Sequence, residues 1–431
     1  MNIALLTNTF TPHVGGVARS VEAFAKAYRE LGHRVLVVAP QFEDTPEHET
    51  DVFRIPAIQH FNGSDFSVVL PVPSGLSEKM EEFKPDIIHS QHPFLLGMTA
   101  VRIARTLDLP LVFTHHTLYE QYTHYVPGDS PAMKRFVIEL STRYANLADQ
   151  VFAPSESIRD MLIERGVISP VLVVPTGVSV ECFAHGNGSK FRRKKHIPED
   201  AIVVGHMGRL APEKNLEFLA RSVVAFMKGH GAAMFLLVGA GPSQEAIEQI
   251  FAEAGMSDRL CMCGVLENGD LADALNAMSV FAFASKSETQ GMVLTEAMAA
   301  GLPVVALDAP GVREVVVDAK SGRVITEESR QAFAAALRWV CTRSREEKHA
   351  LIAAARATAE AFSMPVSARK ALAAYESLLP HSPVRQHEDE LGWDQIRARI
   401  KAEWDILKTV AQSGDEAMNE SFFVSTRGGK R

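Results

Sequence analysis

The chain has 431 residues, too many for one ordinary hydrophobic core, so at least two domains are expected. Hydrophobic residues make up 46% and charged residues 22%, the balance of a folded globular protein, and a net charge of −8 argues against a nucleic-acid-binding surface. No apolar run approaches the ~20 residues needed to span a bilayer. The four cysteines, Cys182, Cys261, Cys263 and Cys341, make no disulfide framework, and MNIALLTNTF reads as a first strand with no basic region or cleavage site before it. The cytoplasm is the expected location.

In chain order, the apolar runs NIALLT, RVLVVAP, DIIHS, LVFTHH, QVFAP and VLVVPTG alternate with helical stretches. They predict a parallel α/β domain over residues 1–180. The polar, basic, glycine-bearing CFAHGNGSKFRRKKHIPED reads as the connection to a second domain, 195–365. There AIVVGHM, MFLLVGA, LCMCGV, SVFAFAS, PVVALD and GRVIT form another βα series. Both sets of runs are almost continuously apolar, as expected of strands covered by helices on both faces. Two Rossmann-like domains facing across a cleft follow, with ligands expected outside the strand C-termini.

Two segments of the second domain carry chemistry. AIVVGHMGRLAPEKNL places Arg209 and Lys214 on a strand-to-helix loop, where a planar guanidinium fork and a mobile ammonium suit a diphosphate. Alone, such a pair is more often a solvated surface pair. SKSETQGMVLTEAMAAG places Glu288 and Glu296 across the start of a helix that Gly301 and Pro303 close. The free N–H groups and dipole of that helix start favour an anion. Glu296, one turn inside, can accept two hydrogen bonds from a vicinal diol such as a ribose, and Glu288 can reach a more distal part of the ligand. As helix-start acids, both would also complement the dipole without any ligand.

With these motifs the chain resembles the retaining, nucleotide-sugar-dependent glycosyltransferases of family 4, which have the GT-B fold. The resemblance runs from Met1 to about Leu379. It is carried by TNTFTPHVGGVARSVEAFAKAYRELGHRVLVV, GRLAPEKN and the Glu-x7-Glu block with EAMAAGLPVVA. It implies that Arg209 and Lys214 hold the donor diphosphate, Glu296 the ribose and Glu288 the transferred sugar. Backbone N–H groups of Gly291, Met292 and Val293 complete the cradle, and Gly15 and Gly16 approach the phosphates from the other domain. The His that precedes Thr at a strand end, His116 here, orients sugar and acceptor, ahead of His115. A helix over 366–379 crosses back to the N-terminal domain.

HTLYEQYTHY is similar to bacterial enzymes that glucosylate 1,2-diacylglycerol from UDP-glucose. The implied donor is a UDP- or GDP-sugar and the acceptor a lipid or small-molecule hydroxyl, with peripheral contact at the inner membrane face. Residues 1–180, however, hold 14 Lys or Arg against 20 Asp or Glu, about −6, whereas those lipid enzymes often have a basic N-terminal domain. Lys134, Arg135 and Arg143 remain as a local basic patch. No Asp-x-Asp occurs, so neither a metal nor a cofactor is expected, and Arg209, Lys214 and the helix start would stabilise the leaving diphosphate. The resemblance implies retention through same-face attack, with domain closure bringing Gly16 and His116 onto the donor. A glycosyltransferase with GDP-mannose or another UDP-sugar as donor and a non-lipid acceptor, and a GT-B sugar-nucleotide epimerase, are the alternatives.

Other motifs read as structural. Cys261 and Cys263 share one face of a strand without a partner pair of ligands. Gly239-x-Gly241 is followed by Gln244 where a dinucleotide fingerprint needs a small residue. His115, His116 and His124 lack an acid cluster that would make them a metal site. Residues 380–431 are expected to form a helical extension, amphipathic through Trp393, Ile396, Ile400, Trp404 and Leu407, and then a tail.

Overall fold

A computed structural model describes residues 1–13, 15–58, 68–69, 75–121, 130–286, 288–379 and 409. The chain divides into two compact units, one formed by Met1–Pro175 with Ser367–Arg431 and the other by Thr176–Val366.

The N-terminal unit runs β1 (Asn2–Leu6), α1 (Gly16–Glu30), β2 (Arg34–Pro40), β3 (Val52–Ile55), the short pair β4 (Ala57–Ile58) and β5 (Val68–Val69), α2 (Leu76–Phe83), β6 (Ile87–Ser90) and α3 (Leu96–Thr106). It continues with β7 (Leu111–Thr114), α4 (Pro131–Ala145), β8 (Gln150–Ala153), α5 (Glu156–Glu164) and β9 (Val171–Val173). Seven strands form one parallel sheet in the order β3-β2-β1-β6-β7-β8-β9. The order reverses at β1, whose neighbours are β2 and β6, so the loops after β1 and β6 leave the sheet at a topological switch point. Ile3, Ala4, Leu36, Val37, Ile88, Val112 and Phe113 are fully buried, because an all-parallel sheet is covered on both faces.

The C-terminal unit begins with α6 (Val180–Ala184) and α7 (Gly188–Lys194), then β10 (Val203–Met207), α8 (Leu216–Met227), β11 (Met234–Val238), α9 (Gln244–Glu253), β12 (Leu260–Met262) and α10 (Asn268–Asn276). It ends with β13 (Val280–Phe283), α11 (Met292–Ala299), β14 (Val304–Leu307), α12 (Pro310–Val315), β15 (Gly322–Ile325), α13 (Arg330–Cys341) and α14 (Arg345–Ala361). Its six strands are also all parallel, in the order β12-β11-β10-β13-β14-β15, and reverse at β10. The return helix α15 (Met364–Leu378) starts in this unit and passes into the N-terminal one at Ser367.

All twelve strands expected from the apolar runs are present. The structure adds β3 and the short antiparallel pair β4 and β5; Arg54 of β3 is held by Glu49 at 2.6 Å and by the Thr11 carbonyl at 2.6 Å. The expected connection is corrected. Residues 180–194 are two helices packed on α10, with Lys190 donating to Asp273 at 3.2 Å and Lys194 to Asp270 at 3.1 Å. A Cβ on Gly186 would fall 2.2 Å from the Ala272 carbonyl oxygen, so glycine there permits helix contact, whereas composition suggested a linker. The expected extension over 380–431 lies outside the described residues except Thr409.

Candidate active site

In the C-terminal unit the loops that follow β10 and β13 carry the candidate donor residues, and these two strands are paired at the switch point. After β10 a turn of 3-10 helix, Pro212–Lys214, ends at Asn215, whose φ of 55° turns the chain sharply into α8. Lys214 thereby points its ammonium at the β13 loop, where Nζ lies 3.2 Å from Glu288 Oε2. The other carboxylate oxygen of Glu288 accepts the Gly291 N–H at 3.1 Å. One carboxylate therefore ties the cationic loop to the entrance of α11.

The residue at that entrance, Gly291 at φ 85°, has no side chain with which to cap α11, which begins at Met292 and Val293. The position of Gly291 is enforced by its neighbours. Gly311 N donates to the Glu288 carbonyl at 3.1 Å, and a Cβ on Gly311 would meet Gln290 N at 2.5 Å. Gln290, 3% exposed, clamps Thr176 in both directions, accepting from its N–H at 2.7 Å and donating to its carbonyl at 2.6 Å. Glu296 sits one turn into α11 and is 4% exposed. Arg209 is ion-paired with Glu213 four residues on. Burial opposes ionisation of Glu213, but the Arg209 hydrogen bond and the charges of Arg209 and Lys214 hold its carboxyl below the usual range.

Residues whose role was not visible in the sequence support this cluster. Glu328, in the turn after β15, accepts from Asn215 Nδ2 at 2.8 Å and pairs with Lys286, bridging the two donor loops. Gly239 and Gly241 have φ of 131° and 154°, and Cβ atoms there would lie 1.9 Å from the Gly208 oxygen and 2.4 Å from the Leu210 oxygen. The Gly-x-Gly loop is thus a backbone support for the Arg209 loop. His206, fully buried, donates from Nδ1 to the Ala282 carbonyl at 3.0 Å, and burial lowers its pKa to about 4.

In the N-terminal unit Gly15 and Gly16 open α1 with no side-chain cap, and nothing lies within 4 Å of a Cβ built on Gly16. At the end of β7 the adjacent histidines part. His115 is 1% exposed, stacks edge-on against Phe113 and Tyr119, and among the described residues has no hydrogen-bond partner on either ring nitrogen. His116 is half-buried and donates from Nε2 to Gln91 Oε1 at 2.7 Å, so its neutral ring carries the proton on Nε2. Burial lowers the His116 pKa to about 4. Gln91, 4% exposed in the loop after β6, is a site neighbour that sequence reasoning missed.

Among the described residues no group of three or more His, Cys, Asp and Glu can hold a metal ion, and His124 lies outside them. Cys261 and Cys263 lie on one side of β12 and its continuation, with sulfurs 3.8 Å apart and unbridged. Arg143 of the expected basic patch is paired with Glu139 at 3.2 Å. No helix among the described residues is long and apolar enough to cross a membrane.

Two α/β units, each built on an all-parallel sheet, with a Lys–Glu cluster beside a glycine-led helix start at the switch point of the second, have the architecture of the GT-B class of nucleotide-sugar glycosyltransferases. The Glycosyltransferase Family 4 model matches residues 14–181, and the Glycosyl transferases group 1 model matches 188–358. The chain belongs to the family 4 glycosyltransferases. It is 28% identical to the alpha-monoglucosyldiacylglycerol synthase of Streptococcus pneumoniae, over 75% of this chain and 74% of that protein. It is 30% identical to a GDP-mannose-dependent alpha-mannosyltransferase of Mycobacterium tuberculosis, over 75% of this chain and 84% of that one. Among solved structures, HepE of Anabaena in complex with UDP-glucose matches with a TM-score of 0.69 at 22% identity, covering 88% of this chain and 100% of that chain.

Proposed function

We propose that this glycosyltransferase moves glucose from UDP-glucose to the free hydroxyl of 1,2-diacylglycerol, with retention and without a metal ion. The observation that carries the donor reading is the Lys214–Glu288–Gly291 cluster at the start of α11. Bound diphosphate would compete for the Lys214 ammonium and receive the N–H groups of Met292 and Val293, while Arg209 neutralises its outer charge. Glu288, released from Lys214, turns to the sugar hydroxyls, and Glu296 takes the ribose diol.

The bond from the anomeric carbon to the phosphate oxygen breaks through an oxocarbenium-like transition state. The acceptor oxygen bonds to the same face, and its proton passes to the departing phosphate oxygen. His116, neutral above about pH 4, orients the sugar and acceptor and does not act as an acid. The lipid acceptor is supported by HTLYEQYTHY and the synthase relative. A second reading, GDP-mannose as donor, is favoured by the 30% identical mannosyltransferase.

Purified protein incubated with UDP- and GDP-sugars, with and without diacylglycerol micelles, separates these readings by product mass. An α-glucosyl-diacylglycerol formed only from UDP-glucose, undiminished by EDTA, is the expected result. Mannosyl product would move the assignment to the second reading. Loss of turnover in EDTA restored by a divalent cation would refute metal independence, and a β-linked product would refute retention.

A further inference from the structure

A buried polar chain crosses the interior of the N-terminal unit. The Tyr28 hydroxyl on α1 lies 3.2 Å from the Tyr375 hydroxyl on α15; Tyr375 lies 2.6 Å from His89 Nδ1; and His89 Nε2 lies 2.7 Å from Thr114 Oγ1. Tyr28, Tyr375, His89 and Thr114 are each no more than 6% exposed. Apolar side chains of similar volume would fill this space without the desolvation cost, so a four-member polar chain calls for a role beyond packing.

Its far end gives that role. Thr114 closes β7 two residues before His116, and Gln91, which receives the His116 Nε2–H, follows His89 by two residues. The His89–Thr114 and Gln91–His116 bonds are therefore two side-chain links between the same pair of segments, the first a diagonal across the β6–β7 register, in which His89 faces Val112, and the second just beyond the strand ends. Burial and the neighbouring His116 lower the His89 pKa to about 3, so its ring stays neutral, with one donor and one acceptor nitrogen.

The direction of the bonds then follows. If Tyr28 donates to Tyr375, Tyr375 to Nδ1, and Nε2–H to Thr114, the one proton left over is the Thr114 hydroxyl's, at the strand end. The reverse order would leave the Tyr28 proton without an acceptor, deep against α1, which is the costlier arrangement.

We propose that Tyr375 is a positioning residue for His116, fixing the His89 tautomer and so the two side-chain links between the β6 and β7 segments, the second of which holds the His116 ring. The return helix α15 thus contributes to the site through its hydrogen bond, as well as closing the chain. The catalytic consequence rests on the proposed role of His116; the positioning itself does not.

The test uses full-length protein with 15N-labelled histidine, and His116 resonances assigned by their loss in His116→Ala. Wild type is expected to show an Nε2–H ring at His116 with narrow, single shifts. Tyr375→Phe is expected to shift or broaden the His89 and His116 ring resonances. Tyr28→Phe, which also deletes a buried hydroxyl but leaves Tyr375 on His89, keeps them as in wild type and controls for lost stability. Unchanged His116 resonances in Tyr375→Phe, or equal changes in Tyr28→Phe, overturn the proposal. Should Tyr375→Phe not fold, Thr114→Val cuts the same chain and is expected to move the same resonances; no change would likewise overturn it.

With UDP-glucose and diacylglycerol micelles, Tyr375→Phe should lower kcat about tenfold at unchanged donor KM. That loss should vanish in the His116→Ala background. Full activity of His116→Ala would remove the catalytic reading of His116, while the resonances would still decide whether Tyr375 positions its ring.

Discussion

At the scale of residues, the proposed donor cluster would separate charge that holds the nucleotide from charge that drives its departure. Glu296 is buried in α11, where its carboxylate is suited to a ground-state diol, whereas Arg209 lies on a half-exposed loop where diphosphate charge would develop. Glu296→Ala is therefore expected to weaken UDP binding about 10–100-fold, read by calorimetry, from loss of charge-assisted hydrogen bonds. Arg209→Ala should leave UDP affinity within a few-fold and lower kcat by about 10²–10³. Equal effects of both variants on both parameters would deny these separate roles. The cluster's chemical types were legible from Arg209, Lys214, Glu288 and Glu296, because a charge pattern beside a helix start has a local meaning. Gln91, Gln290 and Glu328 were not, because each acts by bonding a residue at least 25 positions away.

At the scale of elements, the support of the Arg209 loop is the sharpest structural constraint. Gly239 and Gly241 let the loop after β11 press its backbone against the carbonyls of Gly208 and Leu210. Gly241→Ala would place a methyl 2.4 Å from the Leu210 oxygen at a φ of 154°, so the two loops must part. A stability loss of about 1–3 kcal/mol is expected by chemical denaturation, together with weaker UDP binding as Lys214 is displaced. A variant with wild-type UDP affinity would show that the contact serves packing alone. The segment 180–194 carries the opposite lesson: glycines and basic residues that resemble a linker are used to dock two short helices on α10.

At the scale of the whole molecule, buried imidazoles make the two units unequal towards acid. His89, His92 and His115 in the N-terminal unit are at most 6% exposed, and burial, reinforced by His116, lowers each pKa to about 3. His206 is the corresponding fully buried ring of the C-terminal unit, lowered to about 4. A group whose folded pKa is depressed below its unfolded 6.5 binds its proton only on unfolding. Stability is therefore complete above pH 6.5 and falls as the pH drops towards the folded pKa. Counting His116, also lowered to about 4, four such protons stand against one, so the N-terminal unit should lose about 5 kcal/mol per pH unit between pH 6 and 4.5, and the C-terminal unit about 1.4. Thermal unfolding is expected to be close to a single transition at pH 7.5 and to split at pH 5, the earlier step carrying the tyrosine signal of Tyr28, Tyr144 and Tyr375. Parallel acid shifts of both steps would contradict this.

Legible in the chain alone were the features that local pattern encodes: twelve parallel strands, the α/β class with two Rossmann-like domains, and the strand–loop–helix motifs bearing Arg209, Lys214, Glu288 and Glu296. Apolar runs, turn glycines and helix starts act over a few residues, and their physical meaning survives without knowledge of distant partners. Tertiary structure alone decided which neighbouring groups meet. It put His115 among aromatic rings and His116 on Gln91, paired Lys214 with Glu288 across 74 positions, and brought Tyr375 to His89 across 286. It also turned the Gly239 loop from a failed nucleotide fingerprint into a backbone buttress. Such contacts depend on strand order and helix docking, and residues far apart in the chain become partners only when the sheet has set which strands are adjacent.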